Sequence, residues 1–74
     1  MEQLSILVGK KIKELRIAAG FSQEAFADQA NIHRSHLGEI ERGEVDLSLS
    51  SLMKVSRALG IKVSKLVQGI PRQA

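Results

Sequence analysis

Arg34, Ser35, His36 and Glu39 gather four kinds of hydrogen-bonding side chain within six residues. Arginine offers a planar fork of donors, glutamate accepts, and serine and histidine can do either. Such a set is built to recognise a pattern of donors and acceptors. His33 and His36 stand three apart, as a pair of metal ligands would. No third ligand lies at metal spacing, however, and the chain has no cysteine. No glycine-rich phosphate loop or nucleophile motif is present. The residues therefore point to no catalytic group, no metal and no cofactor, and to a protein that is not an enzyme.

Side chains that read a pattern must be held by rigid elements. The chain has 74 residues, enough for one domain. A domain this small buries only about 60% of the surface its unfolded chain exposes, so its core must come from many small contacts. Helical periodicity dominates. Leu4, Leu7, Val8, Ile12 and Leu15 fall at helical spacing with lysines opposite them. Gly20 follows as a stop. Ser22 can cap a second helix that begins at Gln23 and is interrupted at Asn31. A third runs from about Arg34 to Glu41, before Gly43. Ser48 can cap a fourth, Leu49 to Leu59, which buries Leu52, Val55 and Leu59 and ends at Gly60. Ser64 to Gln68 can form a short fifth, with Leu66 and Val67 turned inward. Strand-like alternation is confined to Val45–Leu49, which reads as a loop entering a helix. The expected fold is an all-α, compact five-helix bundle. It forms one domain over residues 1–74, with a helix-turn-helix at about 22–41 and a short tail at about 69–74.

Gln23 opens a two-helix unit. Two helices crossing at about 90–120° through a turn of 3–4 residues approach closely, so Ala27 must be small. The turn needs one residue in the left-handed region, where glycine is cheapest and asparagine next. Asn31 stands there. Leu37 and Ile40 then pin the second helix onto the first. This pattern, from about Val8 to Val67, resembles the helix-turn-helix (XRE) family of the lambdoid phage repressors and Cro proteins. Gly9, Ile12, Leu15 and Arg16 share in the resemblance, as do Ile40-Glu41-Arg42-Gly43, Ser48-Leu49-Ser50-Ser51-Leu52 and Ala58-Leu59-Gly60. Within that family, Ile32 to Gly43 is most similar to the controller proteins of restriction–modification systems. The resemblance implies a lambda repressor-like DNA-binding domain.

In such a domain the first turn of the third helix meets base edges in the major groove. Arg34, Ser35, His36 and Glu39 would project from its outer face, away from Leu37 and Ile40. Arg34 suits guanine O6 and N7, and Glu39 suits cytosine N4. Ser35 suits a base or a phosphate, and His36 a base edge or a thymine methyl. By resemblance Gln23 bonds a phosphate, where the backbone N–H groups of a helix start also favour an anion. Ser22 is expected to share that phosphate or simply to cap. Arg42 is expected on a phosphate. The family often has Ser, Thr or Asp at the position of His33. Histidine caps poorly, so the start of this helix is expected to be less well fixed; the alternative expectation is that His33 faces a phosphate. By resemblance, too, Arg16 and Glu41 form a structural ion pair, and Asn31 is structural.

The formal charge is +3, from 11 basic and 8 acidic residues. Residues 21–46 hold six acids against only Arg34 and Arg42, while both flanks are basic. Bulk charge is thus not the case for a nucleic-acid partner. Neutral donors would carry much of the phosphate contact, and Glu24, Asp28, Glu44 and Asp46 are expected to point away from DNA. Moderate salt dependence follows. One small module has limited contact area. A homodimer on an inverted repeat, with half-sites about 34 Å apart, is the expected remedy. Ile61, Val63, Leu66, Val67 and Ile70 are its candidate interface. The rival reading is a protein-binding module of the same fold, such as an antitoxin or co-activator. It would have a protein partner and no need of Arg34, Ser35 and His36. Met1-Glu2-Gln3-Leu4 lacks a secretory pattern. No apolar run reaches the roughly 20 residues of a membrane span. A cytoplasmic protein without a membrane partner is expected.

Overall fold

The apolar residues at helical spacing near the start fold as α1, Glu2–Ala18. It is followed by α2, Gln23–Ala30, α3, Arg34–Glu41, α4, Leu49–Leu59, and α5, Val63–Leu66. The computed structural model describes residues 2–70, so the tail beyond Ile70 lies outside the described residues. Among the described residues every regular element is helical. None of these helices is long and apolar enough to cross a membrane.

Local chemistry sets the helix ends. Gly20 takes φ +86°, which lets the Phe21 N–H turn back to the Arg16 carbonyl at 3.1 Å. Ser22 and Ser48 are extended, and their hydroxyls accept the N–H of Ala25 and Ser51 at 3.1 and 3.0 Å. The predicted bounds of α4 hold, with Gly60 left-handed at its end. The fifth helix starts one residue earlier and ends two residues earlier than predicted. The Lys62 carbonyl accepts from both Lys65 and Leu66, which begins the helix at Val63. The Gln68 N–H then bonds the Lys65 carbonyl, an i to i+3 tightening that closes it.

Ile12, Phe26, Ala27, Ala30, Ile32, Leu37, Ile40, Val55 and Leu66 form the core. The Phe21 and Phe26 rings meet edge to face at 5.4 Å. Leu52 and Leu59 pack beside the core and are half-buried. Val67, expected inside, is 37% exposed, because α5 ends before it. α2 packs on α3 and α4, while α1 lies across α3 and α4.

The α2–α3 turn depends on one residue. Asn31 has φ 57° and ψ 47°, while the Ile32 N–H reaches the Ala27 carbonyl at 2.9 Å. A Cβ in this region costs about 1–2 kcal/mol unless a short polar side chain eases it. Asn31→Ala is therefore expected to lose about 1–2 kcal/mol in urea unfolding, and Asn31→Gly far less. Equal losses from the two substitutions would contradict that account.

Candidate nucleic-acid interface

The start of α3 carries the candidate reading residues. Arg34 and Ser35 are exposed, while His36 and Glu39 are half-buried. Leu37 and Ile40 on the opposite face are buried. One side of this eight-residue helix is thus anchored and the other is presented.

His33 is the N-cap of α3, correcting the expectation that a histidine here leaves the helix start poorly fixed. Its Nδ1 accepts the Ser35 N–H at 3.1 Å. An N–H can only donate, so Nδ1 must carry a lone pair. The ring proton of the neutral side chain then sits on Nε2, free to donate to an anion. Capping and the expected phosphate contact are therefore compatible. His36 stands between two polar partners. Its Nδ1 is 3.5 Å from Glu39 Oε1 and its Nε2 is 3.5 Å from Ser51 Oγ. The approach of His36 to Ser51 links α3 to the start of α4, where Ser51 Oγ accepts from the Ser48 hydroxyl at 3.0 Å.

The expected ion pair of Arg16 and Glu41 is present and buried. Arg16 Nε donates to Glu41 Oε2 at 2.7 Å and its Nη2 to Oε1 at 3.2 Å. Arg16 Nη1 donates to the Phe21 carbonyl at 2.8 Å. A third member joins them that spacing along the chain does not signal: Gln23 Nε2 donates to Glu41 Oε1 at 3.2 Å. The pair thereby ties α1, α2 and α3 together at the point where α2 begins. Gln23 keeps its second Nε2–H as the one side-chain donor not used in this contact. Ser22 caps, as noted, and its side chain is exposed.

Two acids expected to point away from this surface do not. Glu24 accepts from Arg34 Nη1 across the turn. Nothing in a separation of ten residues signals that contact. Glu44 accepts from Arg42 Nε at 2.9 Å and from its Nη2 at 3.1 Å. The bond from Arg42, against an opposing desolvation, lowers the Glu44 pKa, and the charge of Arg42 lowers it further. The same bond raises the pKa of Arg42. The Arg42–Glu44 pair is thus ionised at neutral pH and opens only as pH falls below the usual glutamate range. The arginine also explains a glycine within α3. A Cβ on Gly38 would lie 3.0 Å from Arg42 Nη1, so the missing side chain makes room for the guanidinium.

The two arginines differ in what they leave available. Arg42 commits its Nε–Nη2 edge to Glu44. Arg34 uses only Nη1, and its Nε and Nη2 make no hydrogen bond among the described residues.

The candidate dimer residues divide. Leu66 is wholly buried and belongs to the core, which corrects its place in an interface. A helix of four residues can hold onto the bundle only by burying its one inward side chain. Ile61, Val63 and Ile70 are half-buried and Val67 is exposed. Val67 and Ile70 line an apolar groove with Leu4, Val8, Leu47 and Leu52.

Comparison with known proteins gives a consistent picture. The family model HTH_3, described as helix-turn-helix, matches residues 12–66. Control protein C.MunI of Mycoplasma sp is 38% identical over 74 residues, covering 99% of this chain and 100% of that protein. Control protein C.BamHI of Bacillus amyloliquefaciens is 34% identical over 65 residues, covering 86% of this chain and 80% of that protein. The crystal structure of the restriction-modification controller protein C.AhdI from Aeromonas hydrophila superposes with a TM-score of 0.81 at 37% identity. That match covers 84% of this chain and 94% of the other.

Proposed function

The chain belongs to the helix-turn-helix family HTH_3, and from that premise we propose that it is a sequence-specific DNA-binding transcriptional regulator. It acts as the controller of a restriction–modification system, like the relatives it is similar to. It binds an inverted repeat as a homodimer, with α3 in the major groove. Residues 1–74 then serve as one DNA-binding domain whose role is recognition and not catalysis.

The observation that carries this reading is the presented face of α3. Arg34 and Ser35 stand exposed at its first turn, over an opposite face fixed by Leu37 and Ile40. Base contacts are assigned to Arg34, Ser35, His36 and Glu39. Phosphate contacts fall to Ser22, Gln23, His33 and Arg42. For the dimer, Val67 and Ile70 with Ile61 and Val63 offer apolar surface beside the groove against α1.

Selection of bound duplexes from a random pool tests this directly. The expected product is an inverted repeat with half-sites about 34 Å apart. Arg34→Ala is expected to lose about 1–3 kcal/mol on that duplex and to relax the preference at one base pair. If Arg34→Ala and Gln23→Ala leave DNA affinity intact while binding to a protein partner collapses, the chain is a protein-binding module of the same fold. A methyltransferase and a nuclease encoded beside it would support the controller role.

A further inference from the structure

Glu24 and Arg34 form an ion pair whose side chains are 70% and 65% exposed. Pairs this exposed contribute little to stability. Its position gives it another use. It lies on the surface assigned above to DNA, and it engages one side of the arginine expected to read a base.

We propose that Glu24 is a positioning and specificity-determining residue, which holds Arg34 so that its Nε–Nη2 edge faces a guanine. The inference rests on the DNA-binding reading and extends it from α3 to the first turn of α2. Glu24 takes only the Nη1 side of the guanidinium. The remaining edge presents two parallel donors, the set that matches guanine O6 and N7. A free arginine must lose its rotamer freedom on binding, whereas one already held by a carboxylate has lost much of it beforehand. The carboxylate also repels phosphate oxygens. Arg34 is thereby kept from settling on the backbone, where it would bind any sequence. Arg42 provides the contrast. Glu44 occupies its Nε–Nη2 edge, so the edge that stays open on Arg34 is closed on Arg42.

The test compares the wild-type chain with Glu24→Gln, Glu24→Ala and Glu14→Gln. Each is titrated with the duplex that the wild type selects from a random pool, with versions of it altered one base pair at a time, and with a random-sequence duplex of equal length. Glu14, an exposed acid of α1, controls for the loss of one negative charge. Both Glu24 variants are expected to bind the selected duplex about five- to twentyfold more weakly and to lose their preference for guanine at one position. On random-sequence DNA they are expected to bind about two- to tenfold more tightly, because the released arginine can neutralise a phosphate. Glu14→Gln is expected to keep the base preference. Opposite signs on the two duplexes cannot come from charge alone or from unfolding. If the Glu24 variants gain affinity on both duplexes with the guanine preference intact, the carboxylate is a mere counter-charge and the positioning role is overturned. If the wild type itself selects no sequence, the DNA reading falls and this inference falls with it.

Discussion

Glu41→Ala is expected to destabilise the fold by about 3–5 kcal/mol, the usual cost of removing one partner from a buried ion pair. Total stability for a chain of this size is on the order of 4–11 kcal/mol, so much of the population would unfold near physiological temperature. The cause is what remains. Arg16 is 7% exposed and directs Nε and Nη2 at the Glu41 carboxylate. Without it a guanidinium stays buried with its fork unanswered, and Gln23 Nε2 loses its acceptor. Urea unfolding measures the loss. A second variant separates charge burial from simple truncation. Arg16→Met combined with Glu41→Leu replaces both charges with apolar groups, which is often close to neutral. The double variant should recover at least half of the single variant's loss. It will not recover all of it, because the Phe21 carbonyl also loses the Arg16 Nη1 donor. A loss below about 1 kcal/mol for Glu41→Ala would mean that the pair behaves like an exposed one.

Gly9→Ala should be damaging at a position where helix propensity favours it. Alanine in place of glycine within a helix gains about 1 kcal/mol. Here, though, a Cβ would stand 2.2 Å from the Ile40 carbonyl oxygen and 3.0 Å from that of Glu41. Both atoms are backbone, so no side-chain rotation relieves the clash. Ordinary contact begins at 3.4 Å, so α1 and the end of α3 must part by about 1.2 Å, the difference between 3.4 and 2.2 Å. Overpacking typically costs about 1–3 kcal/mol and occasionally more. Backbone on both sides places this case at about 3 kcal/mol, or roughly 12–24 °C in Tm for a domain this small. The shift also moves the reading helix, and binding groups need placement to within about 0.5 Å. Affinity for the selected duplex should therefore fall even at temperatures where the variant is folded. Thermal unfolding with a parallel DNA titration checks both effects. A Tm at or above that of the wild type would show that the helices adjust freely.

These expectations differ in how far the sequence supports them. Ser22 and Ser48 announce their helices because a cap bonds a neighbour only three residues on. Asn31 marks the turn because the left-handed conformation is a property of one residue. Leu37 and Ile40 mark the inner face of α3 through spacing along one helix. His33 is legible only in part, because its capping bond is equally local but ring nitrogen is an uncommon cap. Leu66 was ambiguous for another reason: an apolar side chain at the end of a bundle can close the core or face a second subunit, and its type is the same either way.

The opening cluster, Arg34 to Glu39, shows where the division falls. Residue order alone sets which groups stand there, that they lie on one helix, and that Leu37 and Ile40 turn that helix's other face inward. Those are matters of residue chemistry and helical period, which act over a few residues. Helix packing brings Glu24 to Arg34, joins Gln23 to Arg16 on Glu41, and lays α1 against the end of α3 at Gly9. Each of these joins two different helices. No spacing rule along one helix reaches across such a gap, because the meeting depends on the crossing of whole elements around the shared core. The identity of the reading groups is thus local, and their aim is set by packing.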